Sequence, residues 1–165
     1  MGMYGIYIRT DDETIANIKN GKQTISDAFN DALLSSDDYS PSEDVLFIDK
    51  LWHIIHYTLS GEALEIKDEP LAKVVFNGNY ISEEDMGMGP ANFIPSDELP
   101  IINSVLQAVS KEWFFEKFST DDMIEKDIYI AEYVEPEEAY ECLENIKKFF
   151  KQATAEKQNI LFFLE

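Results

Sequence analysis

From Pro136 onward the sequence leaves little freedom in how it can fold. Pro136 suits the first turn of a helix, where an N–H has no intrahelical partner, and Glu137 and Glu138 follow where negative charge meets the positive end of the helix dipole. Ala139, Cys142, Leu143, Ile146, Phe149, Phe150 and Ala153 then recur at helical spacing and form one apolar stripe. Lys147, Lys148 and Lys151 lie toward the opposite end, and Glu144 with Lys148 makes an i,i+4 pair. Residues 159–164, Asn-Ile-Leu-Phe-Phe-Leu, have almost no polar side and predict a central strand. A helix with so wide an apolar stripe and a strand that needs cover on both faces require several further elements around them.

The rest of the chain supplies those elements. Residues 3–8 are aromatic and β-branched and predict a strand; Thr10, Asp11, Asp12 and Glu13 then cap a helix that stops near Asn20 and Gly21. Ile25, Ala28, Phe29, Ala32 and Leu33 mark a second amphipathic helix, and 35–41 is a polar loop. Val45, Ile48, Trp52, Ile55 and Leu59 have helical spacing, so a helix is predicted over 42–60, closed by Gly61. Residues 70–76 form a short helix or strand, Tyr80 and Ile81 a brief strand, and 86–95, with Gly87, Gly89, Pro90 and Pro95, an irregular stretch. Pro100 opens a helix through Ile102, Val105, Leu106 and Val109; short helical pieces follow through Trp113 and Phe118, and 127–133 alternates like an edge strand. The predicted fold is a single α+β domain over 1–165, in which several helices pack on a small mixed β-sheet that includes the N- and C-terminal strands.

Charge narrows the partners. The 165 residues carry 33 Asp and Glu against 13 Lys and Arg, a net charge of -20, while 45% hydrophobic and 13% aromatic residues supply a core. Arg9 is the only arginine and the lysines are scattered, so neither nucleic acid nor an anionic membrane is an expected partner. Cys142 is the only cysteine, which excludes an intrachain disulfide and a cysteine cluster and fits a reducing cytoplasm. The N-terminus has no basic start or cleavage site of a signal peptide, and the longest apolar run, 160–164, is too short to span a bilayer.

Chemistry-bearing motifs are few. On a helix over 42–60, His56 falls about 70° from the centre of the apolar face, near Asp49, while His53 points roughly 130° away. His56 oriented by Asp49 would serve as a base, and the two histidines would supply two ligands of a zinc site, but no HExxH-like pattern completes one. The plainer expectation is that His56 packs beside Trp52 and His53 is solvated. The stretch around Gly87, Gly89 and Pro90 matches no phosphate loop: Pro90 removes a donor and no basic residue is near, so a structural turn is expected. Cys142, on the apolar stripe, is a packing residue. No cofactor motif is present. Acids are concentrated at 112–144, where twelve stand against Lys117 and Lys126, a net of -10. That segment is either a solvated face or a surface that steers a basic protein; Glu112, Glu116, Asp121, Asp122, Glu125, Glu137, Glu138 and Glu141 are its candidate contacts.

The opening Met1-Gly2-Met3, the string Asp49-Lys50-x-Trp52-x-x-Ile55-His56-x-x-Leu59-Ser60-Gly61, and Gly89-Pro90-Ala91 ahead of an acid-capped helix resemble the YfbM-like family of small bacterial proteins over nearly the whole chain. The resemblance implies a compact mixed α/β fold, a domain of unknown function with no established reaction, and, if the family shares a pocket, Asp49, Trp52, His56, Gly89 and Pro90 as its lining. Where members often have Tyr-Gly-Pro-Ala-Arg, this chain has Met88 and Asn92. The leading expectation is a cytoplasmic, non-enzymatic binding protein, acidic and of a size that suits an immunity-type protein neutralising a basic toxin. The alternative is a small-ligand-binding or hydrolase-like enzyme using His56 with Asp49 near the Gly89-Pro90 turn.

Overall fold

The computed structural model describes residues 2–35 and 42–165. Four strands, β1 (Gly5–Thr10), β2 (Val45–Asp49), β3 (Asn92–Ile94) and β4 (Asn159–Leu164), form one sheet in the order β2-β1-β4-β3. The two terminal strands are its interior pair, in register from Gly5 opposite Leu164 to Thr10 opposite Asn159. All three pairings are antiparallel, so the α+β class holds with an antiparallel sheet where a mixed one was expected.

Both faces of the sheet are covered, which explains why β4 has so little polar character. Tyr7, Ile48, Ile94, Ile160 and Phe162 face the larger core, built with α3 (Trp52–Ser60), α4 (Leu99–Gln107), α5 (Lys111–Lys117), α6 (Thr120–Glu125) and α7 (Pro136–Ala155). Ile6, Ile8, Phe93, Leu161 and Phe163 face the smaller core, closed by α1 (Asp12–Lys19) and α2 (Ile25–Leu33) through Ile15, Ile18, Ile25 and Ala28. The stripe of α7 is buried at all seven expected positions. Local chemistry sets the shorter helices: Asp11 caps α1 by accepting the Thr14 N–H at 2.8 Å, and Thr24 with Asp27 forms a capping box on α2. Buried Arg9 ties β1 to the approach to β2 through Asp44 at 2.9 Å and to the end of α7 through Glu156 at 3.3 Å.

Four segments differ from expectation. The helix predicted over 42–60 is strand β2 followed by α3; Val45-Leu46-Phe47-Ile48 is a β-branched and aromatic run, and Asp49, at φ 52°, breaks the chain between the two elements. Residues 127–133 form no strand: Asp127 and Ile130 take φ 55° and 56°, and a 3₁₀ turn follows at Ala131–Tyr133. Tyr80 and Ile81 lie outside the sheet, while Asn92–Ile94, inside the stretch expected to be irregular, pairs with β4. The segment expected at 70–76 as a short helix or strand takes the first form, as a single 3₁₀ turn, Pro70–Lys73. The polar loop expected at 35–41 lies, past Ser35, outside the described residues.

Candidate functional site

Asp49 is the residue around which the open surface is organised. A bulge between Gly5 and Ile6 in the β1 pairing shifts the end of β2, and the left-handed backbone at Asp49 turns the chain toward α3. Its side chain is therefore exposed at the sheet edge, where it lines three adjoining depressions of about 450, 220 and 740 Å³. The first is walled by Tyr4, Lys50, Tyr133 and Glu138; the second lies between β2 and α7, among Phe47, Leu51, Glu138 and Glu141; the third runs over Tyr4, Ile6 and Phe47 to Glu165. Phe47 is 58% and Tyr133 76% exposed, high values for aromatic side chains beside a groove. Among the described residues lining the three, Lys50 is the only cation, and its Nζ lies 5.4 Å from the centre of the Tyr4 ring.

Cys142 also lines the second depression, yet burial, with Asp49 and Glu138 adding negative charge, pushes its thiol up to about 12. It stays protonated and is no nucleophile.

The other candidate pocket residues lie elsewhere. Every residue of α3 is buried, because the helix packs against the 3₁₀ turn at Pro70–Lys73, α5 and α7. Trp52 donates its indole N–H to the Met3 carbonyl at 3.0 Å and stacks on His53 with ring centres 4.8 Å apart. His53 is not solvated but 7% exposed. Its Nδ1 accepts the Tyr129 N–H at 3.0 Å, which requires the neutral ring and places the proton on Nε2, donated to the Ala63 carbonyl at 2.8 Å. His56 is 1% exposed, with Nε2 3.2 Å from the Glu65 carbonyl and its ring against the Phe76 ring at 5.0 Å. Burial lowers the His53 pKa and takes that of His56 down to about 4. Trp52 and His56 share Phe76 as a neighbour, but neither lines any of the three depressions at Asp49.

The Gly89-Pro90 turn is held by Asp85, whose Oδ1 accepts the N–H groups of Gly87 and Gly89, both at 2.9 Å; these two bonds lower the Asp85 pKa. Met88 donates its N–H to the Leu164 carbonyl at 3.1 Å, and a Cβ on Gly87 would come 3.1 Å from the Glu165 Cα. The turn thus clasps the end of β4. Like Trp52 and His56, it lines none of the three depressions.

All eight candidate acids are exposed: Glu112 and Glu116 on α5, Asp121, Asp122 and Glu125 on α6, and Glu137, Glu138 and Glu141 on α7. Glu138 and Glu141 meet Asp49 at the groove. Sequence reasoning missed Tyr4, Phe47 and Tyr133; reading 45–49 as a strand would have placed Phe47 and Asp49 at an edge. Among the described residues, no group of three or more His, Cys, Asp or Glu is arranged to hold a metal ion, and the Nε2 atoms of both histidines face carbonyl oxygens.

A four-stranded antiparallel sheet with helices on both faces and a carboxylate-rimmed groove at one edge defines a small α+β protein. The chain belongs to the family described as a domain of unknown function (DUF1877), whose model matches residues 1–163. No curated protein matches it. Its fold is similar to that in the crystal structure of YfbM, a protein of unknown function from Escherichia coli, at a TM-score of 0.72 and 19% identity over 98% of this chain and 99% of that one. No helix of the described residues is long and apolar enough to cross a membrane.

Proposed function

We propose that this chain is a non-enzymatic interaction protein that engages a basic protein partner through the groove at Asp49. The observation that carries this reading is that one strand end gathers three depressions rimmed by Asp49, Glu138, Glu141 and Glu165, with exposed aromatic rings among the carboxylates. Exposed aromatics supply contact area at small entropic cost, and the surrounding negative potential raises encounter rates with cations. Such a surface suits an immunity-type role against a basic toxin, the narrower form of the same reading. The hydrolase-like alternative gains no support from the geometry, since His56 is buried with Nε2 toward the Glu65 carbonyl and lines none of the depressions at Asp49, which stands at the sheet edge.

The test compares two double charge reversals that change net charge equally: Glu138→Lys with Glu141→Lys at the groove, and Glu13→Lys with Glu83→Lys at exposed sites that line none of the three depressions. Binding of a defined lysine-rich peptide is measured at low salt. The groove pair is expected to weaken binding about tenfold more than the control pair. Equal weakening would mean that only total charge matters and would remove the groove from the reading.

A further inference from the structure

The backbone of β2 gives the groove a second property. Arg9 donates its N–H to the Asp44 carbonyl at 2.9 Å, at the start of the β1–β2 ladder. Facing residues in an antiparallel pair alternate between exchanging hydrogen bonds and turning them outward. Tyr7 opposite Leu46 therefore exchanges bonds, whereas Ile8 opposite Val45 and Ile6 opposite Phe47 do not. The other side of β1 agrees independently: Tyr4 and Glu165 exchange bonds at 2.9 and 3.0 Å, so two and four residues along, Ile6 and Ile8 turn theirs toward β4. The N–H and C=O groups of Val45 and Phe47 consequently point away from β1. β2 is the outermost strand on that side, and nothing among the described residues bonds to these four groups.

This open edge borders the depression between β2 and α7, whose lining includes Leu51, Glu138 and Glu141, while the Phe47 ring lies on the other face of the sheet against Phe29. A sheet edge is a template for another strand, and natural edges that remain open are usually protected by lysine, proline or a cover. Between Val45 and Ile48 the described edge has no lysine or proline; the bulge and Lys50 come at its far end, and apart from Lys50 the flanking charges Asp49, Glu138 and Glu141 are negative.

We infer that the groove receives an extended basic segment of a partner protein as an added strand on β2, paired with the backbone of Val45 and Phe47. Side chains on one face of that strand meet the carboxylates of α7, and those on the other face meet the Phe47 side. The period of a strand requires alternation, so the recognised sequence has basic residues at every second position with apolar residues between. This inference rests on the reading of the chain as a partner for basic proteins, and it adds the backbone as the means of recognition.

The probe is a blocked peptide of about eight residues alternating lysine and valine, the length of an ordinary strand. It is compared with two derivatives of unchanged charge, one N-methylated at the lysine amides and the other at the valine amides. In an added strand only one of those amide sets faces β2. One derivative is therefore expected to bind about tenfold more weakly and the other within about twofold of the parent, with amide shifts at Val45 and Phe47 in NMR spectra. Equal behaviour of the two derivatives overturns strand addition, although salt-sensitive binding of the parent would leave the basic-partner reading standing. A parent peptide that does not bind at about 20 mM salt overturns both.

Discussion

Two imidazoles lie on consecutive turns of α3, and burial decides the protonation of both. His53 is fixed as neutral by the Tyr129 N–H that it accepts, and His56 is held neutral by burial, which outweighs the opposite pull of its hydrogen bond to the Glu65 carbonyl. The linkage follows from the direction of the shift. The unfolded chain takes up a proton near pH 6.5, the folded His56 only near 4, so stability due to the neutral ring is complete above 6.5 and is lost as the pH falls between those values. By pH 5 the loss from His56 is roughly 2 kcal/mol. Glutamine retains an N–H for the Glu65 carbonyl and does not titrate. Urea unfolding of the wild type and His56→Gln at pH 7.5, 6 and 5 is expected to show a stability difference that shifts against the wild type by about that amount; a constant difference would show that His56 does not carry the effect. The sequence made His56 a packing residue beside Trp52; it is buried, but its ring lies against Phe76, and the imidazole stacked on Trp52 is that of His53. The sequence placed His53 in solvent because a helix with one apolar stripe was assumed, whereas α3 is covered all round, and burial on every side leaves no periodicity to read.

At the level of elements, legibility followed the number of faces buried. Helix α7 has one buried stripe and a charged back, so its extent, polarity and all seven buried residues were evident. Strand β4, buried on both faces, was recognisable by its unbroken apolar run next to a good helix end. Strand β2 was not, because Val45 and Ile48 have the same spacing as the helix that follows, and the break depends on a left-handed Asp49 that no local pattern announces. The Asp49 groove was missed for the same reason: only the strand reading puts Phe47 at an edge. The ladder deduced for β2 has its own check by hydrogen exchange. The Leu46 amide, bonded to Tyr7, is expected to be protected, while the Phe47 amide, turned outward on a 58% exposed residue, exchanges much faster. Comparable protection at both positions would mean that the edge is already occupied, which is incompatible with strand addition to the isolated protein.

Over the whole molecule the charge of -20 opposes folding and favours association with cations, and salt should therefore move the two in opposite directions. The Debye length is about 30 Å at 0.01 M and roughly 8 Å at physiological ionic strength, so repulsion across α5, α6 and α7 is felt at the lower concentration and largely screened at the higher. The urea midpoint of the free protein should rise with added NaCl, while affinity for a basic peptide falls. Location matters as well as total charge, because half of the net charge belongs to 112–144. Glu112→Gln, Glu116→Gln and Glu125→Gln together remove three charges from this crowded region; Glu13→Gln, Glu83→Gln and Asp97→Asn remove three exposed charges from other parts of the chain. If repulsion is concentrated on α5 and α6, the first triple variant flattens the dependence of the midpoint on salt more than the second. Equal flattening would mean that the acids act as a diffuse net charge. That surface would then serve solubility, and the interaction chemistry would rest on the Asp49 groove alone, where Glu138 and Glu141 are retained in both variants.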